Sequence, residues 1–282
     1  MNITFEKYHG LGNDYLIYDC NKNAVVLKKE HIQLICHRNF GIGSDGILIG
    51  PVFEDNKIKV RILNPDGSEA EKSGNGVRIF AKYLKDSGYV KDSKFRLSTL
   101  GGDVEVSYLN ETGTRIEVYM GKVSFYSKDI GAVGISGEMI GVPLQFGDKE
   151  YKCTCVSIGN PHCVILMEDI SKELVCDIGK YSETDPYFPN RINTQIVKVL
   201  DRNNIQIEIY ERGAGYTLAS GSSSCAAAAA VHRLGIAEED ITVHMPGGNL
   251  DIKIWEDGIY MTGSVCLIGS ITLSEEFQQK MQ

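Results

Sequence analysis

Basic residues are in the minority in this chain. Lys and Arg total 29 against 37 Asp and Glu, for a net charge of −8. Such a balance gives no general attraction to nucleic acid or to an anionic membrane, and simple solubility accounts for it. No apolar run reaches the roughly 18–20 residues that a membrane span needs. The opening stretch, MNITFEKYHGLGNDYL, has neither a basic start nor an apolar signal core, so a cytoplasmic location is expected. The cysteines (Cys20, Cys36, Cys153, Cys155, Cys163, Cys176, Cys225 and Cys266) are scattered rather than framed like a small secreted scaffold. No second pair with zinc spacing accompanies Cys153 and Cys155, and the group reads as buried apolar filler. There is no metal-binding cluster, no nucleotide-binding glycine loop behind a strand and no evident lysine site for pyridoxal phosphate. No cofactor is expected, and the expected partner is a small molecule.

The length of 282 residues suits two domains of roughly 100–150 residues each. Short β-rich runs dominate: 57–64, 94–100, 103–109, 115–121, 151–159, 163–167, 194–200, 204–211, 241–245, 250–256 and 259–273. Many alternate apolar with polar residues between Gly, Asn or Asp. Helical spacing is confined to 29–38, 74–88 and 224–235, the last two ending at glycine.

The two strongest helices share a setting. In RILNPDGSEAEKSGNGVRIFAKYL (61–84) and in EIYERGAGYTLASGSSSCAAAAAVHRL (208–234) a strand enters a polar loop, then Ser-Gly, then a helix. Ser73 and Ser220 stand about half the chain apart, a weak internal repeat. The pattern predicts two similar α+β domains, each offering a helix N-terminus to a shared cleft, although coincidence between two capped helices explains the spacing equally well. Free amides around Gly74–Asn75 and Gly221–Ser222 would hold a carboxylate, because the first amides of a helix lack partners and its dipole favours an anion. Donors placed there also stabilise the charge that develops when an adjacent α-proton leaves. With Ser73 and Ser220 on opposite sides of that carbon, the layout suits a two-base racemase or epimerase. Asn13, Asn64, Asn160 and Asn193 stand where such a site would want polar groups, although each alone reads as a turn residue. Arg212, beside Glu211, has the fork to grip a second carboxylate.

The motifs HGLGNDY, GIGSDG, NPDGSEAEKSGNGVR, VSIGNPHCV, RINTQIV and ERGAGYTLASGSSSCAAA resemble, in order and spacing, those of the diaminopimelate epimerase family, from about residue 4 to about 273. The resemblance implies two pseudo-symmetric α+β domains, each a β-barrel-like sheet around a central helix. The domains would cover 1–122 and 123–266, with a terminal strand and tail, 267–282, returning to the first. It implies cofactor-independent interconversion of LL- and meso-diaminopimelate on the route to lysine and cell wall, and it leaves room for a homodimer. In the family's terms Asn64, Asn193 and Arg212 would hold the substrate's distal end, with backbone carbonyls near Glu211 taking its amine. Asn13 and Asn160 would line the pocket, and the amides of Gly74, Asn75, Gly221 and Ser222 would bind the reacting carboxylate.

The chain departs from the family at the centre of the chemistry. The family's acid and base are two cysteines, and positions 73 and 220 are serine here. A thiol ionises near pH 8.5, and lower at a helix N-terminus. A hydroxyl has no ionisation near neutrality, so two-base transfer is expected to be impaired. Cys225 lies along the helix, where packing explains it. Ile79 stands where the family often has cysteine and Tyr216 where it often has glutamate. A racemase of another amino acid (histidine is one example), a non-catalytic amino-acid-binding protein and a non-thiol lyase remain open on the same fold.

Overall fold

The motif HGLGNDY turns the chain back on itself. In a computed structural model of the protein, which describes residues 3–71 and 73–281, strands β1 (Thr4–Gly10) and β2 (Asn13–Tyr18) pair antiparallel. The two intervening residues, Leu11 and Gly12, have φ of 57° and 85°. Positive φ at both central positions gives the tight turn whose twist matches that of the strands. Asn13 is therefore fixed at the first position of β2, opposite Gly10.

The chain divides into two units, residues 1–118 with 263–282, and residues 119–262. The first continues with α1 (Lys29–Cys36), β3 (Ile47–Glu54), β4 (Lys57–Leu63), the short β5 (Glu69–Ala70), α2 (Gly74–Asp86), β6 (Lys94–Thr99), β7 (Gly102–Tyr108) and the start of β8 (Arg115–Gly121). Strand β3 joins β2 in parallel and β4 antiparallel, and β4 takes β5 antiparallel and β6 in parallel. Strands β6 to β8 pair antiparallel in turn.

The second unit opens with α3 (Ser127–Ile130) and β9 (Val142–Phe146). It then runs through β10 (Lys149–Ser157), β11 (Pro161–Leu166), α4 (Lys172–Ser182), β12 (Asn193–Asp201), β13 (Asn204–Glu211), β14 (Gly215–Thr217), α5 (Gly221–Arg233), β15 (Asp240–Met245), β16 (Gly248–Trp255) and β17 (Gly258–Ser264). From β10 onward the order of strands and helices repeats that of β1 to β8. So do the pairings: β10–β11 antiparallel, β11–β12 parallel, β12–β13 and β13–β14 antiparallel, β13–β15 parallel, β15–β16 and β16–β17 antiparallel. The internal repeat is thus a repeat of topology, and each copy is a sheet-dominated α+β unit. Strand β18 (Cys266–Thr272), antiparallel to β1, and α6 (Glu275–Gln279) complete the first unit.

Each unit has its own core. Phe5, Leu16, Ile35, Ile47, Leu63 and Leu273 pack together in the first. Met139, Cys153, Cys155, Cys163, Ile178 and Ile196 do so in the second. Cys36 and Cys225 are buried as well, whereas Cys20 and Cys266 are exposed. Most of the thiols therefore fill apolar volume, and burial pushes Cys36 up from the ordinary thiol value.

The second core explains a glycine inside a helix. Helix α4 starts at the cap Ser171, whose side chain accepts from Leu174 N, yet it carries Gly179 in its interior. Glycine costs a helix about 1 kcal/mol relative to alanine. It is needed here because a Cβ at 179 would lie 2.2 Å from Tyr210 Cγ on β13. Gly179→Ala is expected to destabilise the protein by about 1–3 kcal/mol, as overpacking does. Urea denaturation measures this, and an unchanged midpoint would mean that the ring moves aside freely.

Candidate active site

Both serines of interest cap helices. Ser73 has extended backbone (φ −139°, ψ 118°), and its Oγ accepts from the amide of Gly76 at 3.1 Å. Gly76 has to be small, since a Cβ there would lie 3.2 Å from Ser73 Cβ. On β2, Tyr15 donates its hydroxyl to Ser73 Oγ at 3.4 Å. Helix α2 is buried from Asn75 to Leu84, so Ser73 is fixed to a packed element. The amides of Gly74 and Asn75, in the first turn, have no acceptor within the helix.

Asn75 also joins this cluster through its side chain. Its Nδ2 donates to Asn13 Oδ1 at 3.1 Å, and its Oδ1 accepts from the buried Arg78 at 2.5 Å. Arg78 further donates to Gly74 O at 3.3 Å. Asn64 stands apart. Its amide and its Nδ2 donate to Ser68 O and Oγ at 2.8 and 2.9 Å, and its carbonyl accepts from Gly67 N. The structure joins Asn13, Gly74 and Asn75 by hydrogen bonds and holds Asn64 on its own turn after β4.

In the second unit Ser220 caps α5 with similar geometry (φ −145°, ψ 125°), accepting from Ser223 N at 3.4 Å. The helix begins at Gly221, three residues before the start that the alanine run suggests, because the small residues ahead of it satisfy its first turn. Ser224 Oγ bonds back to Ser220 O at 2.8 Å, and Ser222 Oγ lies 3.4 Å from Ser220 Oγ. Burial pushes the Glu211 carboxyl above its ordinary value, and the Ser220 hydroxyl is close enough to oppose the shift.

Asn193, at the start of β12, ties three segments together. Its Nδ2 donates to Pro161 O at 2.8 Å, and its Oδ1 accepts from Arg212 N at 3.0 Å. The Arg212 guanidinium is exposed and donates to Asn190 O at 3.2 Å. Asn160 Oδ1 lies 3.1 Å from His162 Nε2. Asn160, Asn193 and Arg212 thus form one group, and Glu211, Ser220 and Ser222 another beside it.

Sequence reasoning missed His162 and Gln195. Both are fully buried. Burial lowers His162 from 6.5 to about 3, so it is neutral near pH 7. Gln195 is close enough to favour its protonated form, although neither His162 Nδ1 nor Gln195 Oε1 completes a hydrogen bond of full geometry. Gln195 Nε2 donates to Ser223 Oγ at 3.0 Å and so touches the first turn of α5. The signals in the sequence were the imidazole in IGNPHCV and the polar residue inside the apolar run TQIVKVL. Tyr216 donates to Glu208 at 2.8 Å, while Lys172 Nζ lies 4.8 Å from its ring centre. Burial and the Glu208 carboxylate push Tyr216 up to about 12. Among the described residues, no group of three or more His, Cys, Asp or Glu is placed to hold a metal ion, and no helix is long and apolar enough to cross a membrane.

Solved structures share this fold along nearly the whole chain. A probable proline racemase from Agrobacterium radiobacter K84 superposes with a TM-score of 0.69 at 14% identity, covering 97% of this chain and 93% of its own. A hydroxyproline epimerase from Agrobacterium vitis gives 0.68 at 12% identity, with coverage of 97% and 93%. The fold is therefore one shared with a probable proline racemase and a hydroxyproline epimerase. At the level of sequence, the model of the diaminopimelate epimerase family matches residues 5–126 and 154–268. Diaminopimelate epimerase 2 of Nostoc sp. (strain PCC 7120) is 52% identical over 276 residues, 97% of this chain and 96% of its own. Diaminopimelate epimerase of Moorella thermoacetica is 36% identical over 267 residues, 93% and 95%. The chain belongs to the diaminopimelate epimerase family and is an isomerase of that type.

Proposed function

We propose that the protein binds diaminopimelate and interconverts its LL and meso forms slowly, with Ser73 and Ser220 at the two proton-transfer positions. The observation that carries this reading is the pair of caps. Each serine oxygen accepts an amide hydrogen bond at a helix N-terminus, where a thiolate in its place would be stabilised and a hydroxyl stays protonated. Glu211, raised by burial and close to Ser220, is the group suited to exchange a proton with position 220, because a carboxyl moved toward neutrality is the better acid and base. Binding needs neither thiol. The reading gives the reacting carboxylate to the amides of Gly74, Asn75, Gly221 and Ser222. It gives the distal end to Asn64, Asn193 and Arg212, and leaves Asn13 and Asn160 to complete the polar lining.

Calorimetry with LL- and meso-diaminopimelate, set beside uptake of deuterium at the substrate α-carbon in D₂O, tests both halves. Binding with slow label uptake is expected. Brisk uptake would show that positions 73 and 220 are not the acid and base. Binding without any uptake would mark an amino-acid-binding protein, and release of an unsaturated product a lyase. Arg212→Ala is expected to weaken diaminopimelate binding by roughly ten- to a hundredfold, the loss of a charge-assisted fork. An unaltered Kd in the same calorimetry would remove Arg212 from the distal-carboxylate role.

A further inference from the structure

The Asn13–Asn75 pair lies in a chain of hydrogen bonds whose direction is set at both ends. Arg78 can only donate, so Asn75 turns its oxygen to Arg78 Nη2 at 2.5 Å and its amino group to Asn13 Oδ1 at 3.1 Å. Asn13 then presents Nδ2 to Asp45 Oδ2 at 2.8 Å, and an ionised carboxylate can only accept. A flipped Asn13 amide would face an oxygen with an oxygen on one side and an amino group with an amino group on the other.

Asp45 is itself committed on both oxygens. Its Oδ2 also accepts from Asp14 N at 3.0 Å, and its Oδ1 accepts from Arg38 Nη2 at 2.5 Å. Arg38 is held there by a second carboxylate, Asp14 Oδ1 at 2.8 Å. Asp14 in turn pairs with Lys7 at 2.9 Å. Burial pushes the Asp14 carboxyl up, but the bonds from Arg38 and Lys7 outweigh it and keep the group below its ordinary value. None of Lys7, Asp14, Arg38 and Asp45 enters the functional reading so far, yet together they end on the side chain of Asn13.

We propose that Asp45, locked by Arg38, is a positioning residue that fixes the direction in which Asn13 presents its carboxamide to the substrate. The proposal rests on the reading that Asn13 lines the substrate pocket. With the direction fixed, the second Nδ2 proton of Asn13 and the remaining lone pair of its oxygen keep constant places, and a ligand need not select among amide orientations. Nothing else in the turn Leu11–Gly12 can supply that direction, because those two residues have no polar side chain.

The arrangement makes an unusual demand on position 45. In Asp45→Asn the single carboxamide oxygen can face Arg38 or it can face Asn13 and the Asp14 amide, but not both. Asp14 keeps Arg38 in place, so either orientation sets the new amino group against a donor, and the direction of Asn13 is no longer fixed. Diaminopimelate is expected to bind on the order of tenfold more weakly to this variant, the effect of one misdirected, partly buried hydrogen bond. Adding Arg38→Ala frees the introduced carboxamide to turn its oxygen back to Asn13, so the double variant is expected to recover most of that loss. A merely structural weakening would instead deepen with the second substitution.

Calorimetry on the parent, D45N, R38A and R38A/D45N reads this directly. Parent-like binding by D45N overturns the proposal, and so does a double variant that binds no better than D45N. The side-chain amide resonances of Asn75 in the unliganded protein give a second reading that needs no substrate. They are expected to move in D45N and to return toward the parent position in R38A/D45N; immobility in D45N overturns the proposal. If the parent itself fails to bind diaminopimelate, the functional reading fails, and the amide resonances still decide the role of Asp45.

Discussion

Cysteine at both positions, Ser73→Cys with Ser220→Cys, is expected to raise the rate of diaminopimelate epimerisation by orders of magnitude. General acid–base groups contribute about 10²–10⁴-fold each when their pKa is near the working pH. A hydroxyl contributes little of this, because each unit of mismatch costs about 1.4 kcal/mol. The surroundings that would tune a thiol are already present. Gly76 N and Ser223 N are directed at the two oxygens, and Glu211 adjoins the second. Ser73→Cys alone should give at most slow label uptake from one face. Coupled measurement of product ratio and α-deuterium content separates the outcomes. A double variant that binds diaminopimelate and stays inert would place the loss outside the thiols. Tyr216, tied up with Glu208 and Lys172, would then be the next residue to exchange.

Acid is expected to unfold the protein partly through His162. Burial lowers this imidazole from 6.5 to about 3, and the positive charge of Arg212 adds to the effect. The unfolded chain therefore binds a proton that the folded chain refuses. Stability is complete above pH 6.5 and is lost as the pH falls toward 3, by about 1.4 kcal/mol per unit for this one group. Chemical denaturation at a series of pH values between 7 and 4 should show the slope, and His162→Gln should remove that part of it. Equal slopes in the two proteins would mean that the imidazole gains a proton in place, with local opening. The same neutrality matters near pH 7, since a neutral ring can donate from one nitrogen and accept at the other.

Those two expectations differ in how far they could be read from sequence. The caps at Ser73 and Ser220 were legible because capping is local: a serine, a glycine-rich first turn and an apolar run suffice. Many strands were legible for the same reason, one run at a time, while the two-domain architecture came from the family resemblance. The burial of His162 and Gln195 was not legible, because it depends on which strands surround β11 and β12. Helix α4 keeps apolar residues at helical spacing (Leu174, Val175 and Ile178), but the need for its interior Gly179 comes from a tyrosine on a distant strand. The run 259–273 reads as one strand, and the structure breaks it at Val265 into β17 and β18. The polar and small residues Thr262, Gly263 and Ser264 stand just before that break.

Helix α5 carries a consequence for time as well as for place. It is buried around its whole circumference from Ser223 to Val231 and packs against β10, β11, β12, β13, β15 and β16. A helix enclosed in this way can open only with its unit, in rare excursions that cost a large part of the folding free energy. Loop motions nearby run on nanoseconds to microseconds. Ser220 is attached to the slow element and not to the fast ones, so the oxygen at the end of α5 holds its position through many cycles of loop movement.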